Sequence, residues 1–364
     1  MKNILINASV PAVERLYLKR DWQTIIKSRK GIRIPSSNPL DLNNYVHDQP
    51  DSVWEIMARD QVQVFDNSPF LDELYSNPTS SYEKPCDLYV LDSETRRLLN
   101  RYHWGAISIS DKNLSAVPLK THWEYPLRRN EPFSWKQFFR EDVLNTKLVS
   151  NSLIILDKYL FTDFEEGLNN FLDIIDAILP KKFYGCYHVL LVSDENKVME
   201  SQQHESLAEA IYLVNSYFPS LRRPYEVLFE ALLVHPLGQL EEGQTRSREE
   251  KALKSFYKDI HDRQIITNSF CASASHALSV TCDQNGKQVS AYKQKLFFDA
   301  IYSGIDNRYQ RKDNLPYKEC EDSISSLRKF IYSANPICRF FSNGVERQDV
   351  SGMQNRLLKI GLDL

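Results

Sequence analysis

The stretch D-I-H-D-R-Q-I-I-T-N, residues Asp259 to Asn268, joins charged side chains to an apolar pair, Ile265 and Ile266. The apolar pair predicts a short buried strand, and the triplet His261-Asp262-Arg263 falls at the edge of that strand. Because burying a charge without a partner is costly, each charged side chain must find a partner or remain in contact with water. A functional site at a strand end is one interpretation, and a solvated strand end is the other.

Composition places the chain among globular proteins and limits its functions. Its 364 residues are enough for two ordinary domains or one large one. They are 42% hydrophobic and 26% charged, a composition typical of globular proteins. The formal net charge of -3 is close to neutral, so binding to DNA, RNA or an anionic membrane would depend on a local basic patch. No run of residues has the length of a membrane span, and the first residues lack the features of a signal peptide.

The six cysteines lie far apart, without a C-x-x-C pair or a cluster of histidine and cysteine ligands. This spacing predicts neither a zinc site nor a dense disulfide scaffold. We therefore expect reduced thiols, a cytoplasmic protein, and no metal or other cofactor.

Short apolar runs in the first part of the chain predict a small α/β domain, residues 1–140. A helix is expected at Thr95–Tyr102, and strands of a mostly parallel sheet are expected at Asn3–Ile6, Val62–Phe65, Leu88–Leu91 and Ala106–Ile109. The basic cluster between Lys27 and Arg33 has the charge to contact phosphates. Because no aromatic stacking partners accompany it, a solvated loop is the preferred interpretation.

Alternating strands and helices predict a second α/β domain, residues 146–320, with a mixed sheet flanked by helices. Ser152–Leu156 and His188–Val192 have the pattern of buried strands. Phe164–Leu179 has one wide apolar face, which we expect to cover those strands. Either Thr162 or Asp163 supplies the chemistry of a helix start before this face, and Ser206 supplies it for a later helix.

Several segments around these elements define the expected domain organisation. Prolines between Pro118 and Pro132 indicate a connector, which places the domain boundary close to Trp135–Asn145. Ala277–Cys282 is expected to pair antiparallel with the strand that follows His261. An amphipathic pattern from Asp322 predicts a C-terminal helical tail, residues 321–364. Glu226–Val234 fits either a strand or a helix.

The spacing of the charged triplet resembles a known signature. His261-x-Arg263 followed by four residues and Asn268 is similar to the H-x-K-x4-D motif of the phospholipase D superfamily, with Arg for Lys and Asn for Asp. The closer resemblance is to the phospholipase D-like domain that follows microtubule-interacting-and-trafficking domains, and to its bacterial relatives. That domain has a D-P-Y-like strand end, an N-rich helix and an H-D-R-like strand. The corresponding residues here are, in order, Asp157-Lys158-Tyr159, the pair Asn169 and Asn170, and the triplet His261-Asp262-Arg263. The similarity covers roughly Val149 to Ser290.

The resemblance implies a phosphate pocket with assigned roles. His261 would attack phosphorus, Arg263 would hold the phosphate oxygens, and Asn268 would fix the histidine tautomer, with Asp157 and His276 as further binding residues. An amide at Asn268 cannot stabilise an imidazolium as a carboxylate does. The chain also lacks a second H-x-K or H-x-R. Either two copies meet in a dimer, or His276 supplies the second histidine, or the site does not catalyse.

These observations favour a phosphate-recognising, non-catalytic binding or scaffold subunit of a multi-protein assembly. The resemblance to bacterial relatives also suggests a role in bacterial host defence. Its partners would be other protein subunits or a second copy, and its candidate ligand a nucleic acid or nucleotide. The alternative is a metal-independent phosphodiesterase or nuclease with His261 as nucleophile. A third interpretation makes Asp157, His261 and Arg263 a buried structural network.

Overall fold

The structure is a computed structural model that covers the chain with gaps. Beyond short segments near the start, it describes most of the chain from His122 onward. The described residues are 4–7, 17–18, 23, 31–34, 53–59, 63–66, 88–91, 122–140, 150–181, 183, 186–200, 206–235, 247, 250–251, 253–254, 256, 263–267, 270–276, 278–289, 294–300, 316–333 and 336–359.

Four short strands near the start of the chain form a parallel sheet in the order β3-β2-β1-β4. They are β1 (Ile4–Asn7), β2 (Gly31–Ile34), β3 (Gln63–Asp66) and β4 (Leu88–Leu91), with helix α1 (Val53–Arg59) between β2 and β3. The parallel α/β character predicted for this part is confirmed. The strand expected at Ala106–Ile109 and the helix expected at Thr95–Tyr102 lie outside the described residues.

A mixed sheet of nine strands contains the remaining described strands, in the order β13-β12-β8-β7-β6-β9-β10-β11-β5. Strands β6, β7 and β8 are parallel to one another, and the other pairings are antiparallel. The bounds are β5 (His122–Leu127), β6 (Ser152–Leu156), β7 (Tyr187–Asp194), β8 (Val227–Val234), β9 (Arg263–Thr267), β10 (Phe270–Ala274), β11 (Gln294–Ala300), β12 (Cys338–Ser342) and β13 (Val345–Arg347). The predicted mixed sheet is confirmed, and β6 lies between β7 and β9 within it.

Helices α2 (Trp135–Phe139), α3 (Phe164–Ile178), α4 (Glu195–Glu200), α5 (Leu207–Ser216), α6 (Pro316–Ile331) and α7 (Arg356–Lys359) accompany this sheet, with 3-10 turns at Phe218–Leu221 and Val350–Gly352. Side chains begin two of these helices as predicted. The Asp163 carboxylate accepts the N–H of Glu166, and the Ser206 hydroxyl accepts the N–H of Glu209. Because free N–H groups at a helix start need acceptors, these short-range bonds set where α3 and α5 begin.

Alternate residues of the central strands enter two different apolar layers. Ile155 and Ile265 belong to the same buried cluster as Ile175 of α3, together with the aromatic side chains of α2. Their neighbours Ile154 and Ile266 are equally buried but lie outside that cluster. Since successive side chains of a strand point to opposite faces, both faces of β6 and β9 are covered. Such strands read as continuous apolar runs, which also explains why Glu226–Val234 could not be told from a helix before it proved to be β8.

The segment predicted as a connector contains part of the large sheet, and that prediction is wrong for its second half. Strand β5 pairs with β11, and the Trp123 ring stacks on Phe298 with ring centroids 3.8 Å apart. Pro126 is one of the prolines that predicted a connector, but it lies within β5. This is an edge strand, where a residue without an N–H is tolerated. A boundary at Trp135–Asn145 would separate β5 and α2 from the core that they help to build; the division into domains otherwise stays a prediction.

One prediction about strand pairing is wrong, and the predicted helical tail is only partly helical. Strand β9 pairs antiparallel with β6 and with β10, which follows almost at once, whereas the described residues 278–282 contribute an isolated bridge between Cys282 and Gln288. Strand β10, F-C-A-S-A, contains alanine and serine, which have little preference for strands, so its sequence gave little indication of a strand. The C-terminal tail contains α6 as predicted, but it also supplies strands β12 and β13 and is therefore not purely helical.

The structure bears on the expected state of the cysteines and on the expected absence of a membrane span. Cys271 takes part in a disulfide bond, so the expectation of reduced thiols is wrong at this residue. Cys186, Cys282 and Cys338 are free thiols. Among the residues described above, the helices are all too short or too polar to cross a membrane.

Candidate functional site

Asp157 is the first residue after β6, at the centre of the nine-stranded sheet, and its side chain is buried. One carboxylate oxygen accepts the backbone N–H of Tyr159 at 2.8 Å, and the other accepts the N–H of Leu278 at 2.5 Å. The Ser193 hydroxyl, from β7, donates to the Asp157 carbonyl oxygen. The carboxylate therefore joins its own turn to a loop that follows β10.

Burial is the main influence on the acidity of Asp157. Removal from water disfavours the charged form and raises the pKa to about 6, from an ordinary value of 3.8. The N–H groups of Leu278 and Tyr159 and the positive charge of Arg263 act in the opposite direction and limit the rise in pKa. A buried carboxyl group with a pKa near neutrality is a common feature of functional sites, although structural networks also produce it.

Arg263 opens β9 at the same end of the sheet. Leu156 pairs with Gln264 across β6 and β9, and Ala274 of β10 pairs with Arg263 itself. The Arg263 guanidinium lies over the ring of Tyr159, with its central carbon 5.2 Å from the ring centroid. Within the described part of the chain, no salt bridge joins this guanidinium to a carboxylate. The arginine is thus held by a ring and by a nearby charge rather than by a direct ion pair.

A second cation lies close to Arg263. Lys158 is half-buried, and burial together with the positive charge of Arg263 lowers the pKa of its ammonium group, while Asp194 at the end of β7 raises it. Mutual repulsion between two cations shows that they share one region of the sheet edge. The carboxylates of Asp157 and Asp194 lie in the same region and offset part of this positive charge.

The structure brings some of the predicted site residues together and leaves others outside its description. Asp157 and Arg263 lie close enough for their charges to interact. His276 is exposed, two residues beyond the Ala274 that pairs with Arg263, on the loop whose Leu278 N–H binds Asp157. His261 and Asn268 lie outside the described residues, so their predicted roles stay predictions.

Asn170 has a structural role that the sequence did not reveal. Its side-chain oxygen accepts hydrogen bonds from the Trp135 indole N–H and from the Val280 backbone N–H, both at 3.0 Å. Its amide nitrogen donates to the carbonyl oxygen of Glu166 one turn earlier. Asn170 therefore fastens the loop after β10 to α3 and α2, and the adjacent Asn169 is exposed.

A cavity of about 450 Å³ is lined by residues of α2, α3 and that loop, and it differs in charge from the Arg263 region. Its lining includes the carboxylates Asp163, Glu165, Glu166 and Asp173. Burial and the neighbouring Asp176 raise the pKa of Asp173. Such a surface repels phosphate, and nowhere in the described ranges do three or more His, Cys, Asp or Glu side chains form a metal-binding group.

Comparison of the chain with known proteins gives no match. No protein-family model matches the chain, and no curated protein matches it. The resemblance to the phospholipase D superfamily accordingly rests on the motif residues alone.

Proposed function

We propose that the carboxyl end of β6 binds a phosphate-bearing ligand without cleaving it, and that the protein is a binding or scaffold subunit of a larger assembly. The observation that supports this proposal is the Arg263 guanidinium, which is partly buried and carries no salt bridge to a described carboxylate. A partly desolvated guanidinium offers paired N–H donors that match two phosphate oxygens.

Asp157 is compatible with phosphate binding at Arg263, because its carboxylate is bound to backbone N–H groups. Both of its carboxylate oxygens accept backbone N–H groups, from Tyr159 and Leu278. Its negative charge keeps the partly buried arginine from being an isolated cation, and no salt bridge between the two groups occupies the guanidinium in the part of the chain that the structure describes. Lys158 adds a second positive charge at the same edge, which strengthens attraction for an anion.

Binding is preferred to catalysis on chemical grounds. A phosphodiesterase of the type that the motif resembles needs a nucleophilic histidine, a carboxylate to stabilise its charged form, and a second histidine as general acid. Asn268 stands where the carboxylate is expected, and the chain has no second H-x-K or H-x-R. A site with these substitutions keeps the means to hold phosphate and loses the means to turn it over.

The binding proposal is tested by titrating inorganic phosphate into the wild-type protein and its Arg263→Ala variant. Loss of the charged donor should weaken phosphate binding at least about tenfold, because a hydrogen bond to a charged group contributes about 1.5–3 kcal/mol. Arg263→Lys should lie between the two, since it keeps the charge but not the paired donors. Arg129→Ala removes an exposed arginine from the β5 turn and serves as the charge-matched control. Equal phosphate affinity in wild type and Arg263→Ala, with both proteins folded, would refute the proposal.

Hydrolysis of a generic phosphodiester in the presence of a chelator decides between binding and catalysis. The wild-type protein should show no turnover, and His261→Asn should bind phosphate as the wild type does. Turnover by the wild type that disappears in His261→Asn would instead support the phosphodiesterase alternative.

A further inference from the structure

Tyr159 is an aromatic side chain left partly in solvent at the edge of the proposed phosphate site. The residue is 42% exposed, whereas the adjoining Asp157 and Leu160 are buried. The Arg263 guanidinium lies over its ring at 5.2 Å from the centroid. Since burying an aromatic ring is favourable, a ring that shields a cation yet stays exposed offers apolar surface to a ligand.

Hydrogen bonds fix the backbone that carries this ring. The Tyr159 N–H donates to the Asp157 carboxylate, and the Tyr159 carbonyl accepts both the N–H and the hydroxyl of Thr162. Three hydrogen bonds thus hold the backbone on either side of the ring. A preorganised aromatic group loses little conformational entropy when a planar ligand stacks on it.

We propose that the ligand is a nucleotide whose phosphate binds Arg263 and whose base stacks on the exposed surface of Tyr159; this inference rests on the proposed phosphate function. Guanidinium and ring are in contact, so one ligand that carries an anionic group and a flat aromatic group close together can engage both. Nucleotides have that pairing of groups, and base stacking on an aromatic side chain is tolerant of base identity. An inorganic phosphate or a sugar phosphate would use the arginine alone.

The experiment compares three probes on one set of proteins: inorganic phosphate, ribose 5-phosphate and adenosine 5'-monophosphate. The wild type should bind the nucleotide about tenfold more tightly than the sugar phosphate, in keeping with the contribution of one stacked base. Tyr159→Leu should weaken nucleotide binding more than sugar-phosphate binding, so that the preference for the nucleotide over the sugar phosphate disappears. Tyr159→Phe, which keeps the ring and removes the hydroxyl, should bind the nucleotide as the wild type does. Tyr212→Leu alters an exposed tyrosine of α5 and is the matched control.

The outcomes separate this inference from the phosphate function on which it rests. If phosphate and sugar phosphate require Arg263 but the nucleotide binds no more tightly than the sugar phosphate, only the stacking inference fails. If Tyr159→Leu weakens all three probes equally, the ring merely positions Arg263 and the inference is overturned. If Arg263→Ala binds all three probes as well as the wild type, the phosphate function itself fails. Wild type that binds none of the probes overturns both.

Discussion

At the scale of single residues, two buried polar side chains organise the site by binding the backbone of one loop. Asp157 accepts the N–H of Leu278, and Asn170 accepts the N–H of Val280. A loop that lacks regular pairing must satisfy its buried N–H groups with side chains, and these two come from different elements. The loop between β10 and the Cys282 bridge is therefore held at two points, two residues apart.

Titration of Asp157 should make the unfolding free energy depend on pH. Its pKa is raised from 3.8 to about 6 on folding, so between those values the folded protein binds more protons than the unfolded chain. Stability due to this group is therefore present below about pH 4 and is lost as pH rises through about 6, by about 3 kcal/mol in total.

Urea unfolding of wild type and Asp157→Asn across this pH range checks the prediction. The wild type should lose stability relative to the variant as pH rises from about 4 to about 7, because the variant has no carboxyl group to ionise. Taking the difference between the two proteins removes the contributions of other titrating groups, among them Asp173 and Asp176. Parallel curves would show that the Asp157 pKa does not change on folding.

At the scale of elements, helix α3 is fitted closely to the turn that precedes it. Gly167 lies in the first half of the helix, where a Cβ atom would stand 2.2 Å from the carbonyl oxygen of Leu160 and 2.9 Å from its carbonyl carbon. Both atoms belong to the backbone and cannot swing aside. The glycine thus allows α3 to approach the end of β6 and to cover Ile155 with its apolar face.

Replacing Gly167 by alanine should destabilise the protein, although alanine favours isolated helices by about 1 kcal/mol. The added methyl group must displace backbone, and overpacking of this kind costs about 1–3 kcal/mol. Thermal or urea unfolding measures the change. Gly352→Ala is the control, because no atom lies within 4 Å of the place that its added methyl group would occupy, and its effect should stay below about 1 kcal/mol. A Gly167→Ala protein as stable as the wild type would contradict the close fit.

At the scale of the whole molecule, the last described segment closes the sheet at the end opposite Asp157. The buried Arg356 donates to the carbonyl oxygens of Asn151 and Cys186, which precede β6 and β7. The Asn355 side chain accepts the Ser152 hydroxyl and donates to Leu153. Residues about two hundred positions earlier in the chain thus depend on this segment for their hydrogen bonds.

Arg356→Met should lower the unfolding free energy by about 2–4 kcal/mol, since it removes the charged donor from one buried and one partly buried carbonyl group. Methionine fills a similar volume, so the loss reports the hydrogen bonds more than the packing. Arg347→Met, on the exposed strand β13, is the control and should change stability little. Phosphate affinity at the opposite end of the sheet should stay the same in both variants while they are folded. Unchanged stability of Arg356→Met would show that solvent can replace these bonds.

The sequence by itself determined the elements that depend on near neighbours. Strands β6 and β7, helix α3, and the helix starts at Asp163 and Ser206 follow from periodicity and from side chains within three residues of the N–H groups that they accept. The resemblance assigns Asp157 and Arg263 to one site, and that assignment stays a prediction; the register of β6 and β9 brings the two strand ends that carry them to the same edge of the sheet. These features are local, or depend on a single strand pairing, and so are visible in a linear pattern.

The tertiary structure alone decided the features that join distant residues. The Asp157 carboxylate binds an N–H group 121 residues away, Asn170 binds one 110 residues away, and Arg356 binds a carbonyl 205 residues away. Membership of β5 and β12 in the large sheet, the raised pKa of Asp157 and the exposed ring beside Arg263 follow from such contacts. Burial and backbone hydrogen bonding depend on which segments meet in space, and sequence periodicity reports only which face of a segment is apolar.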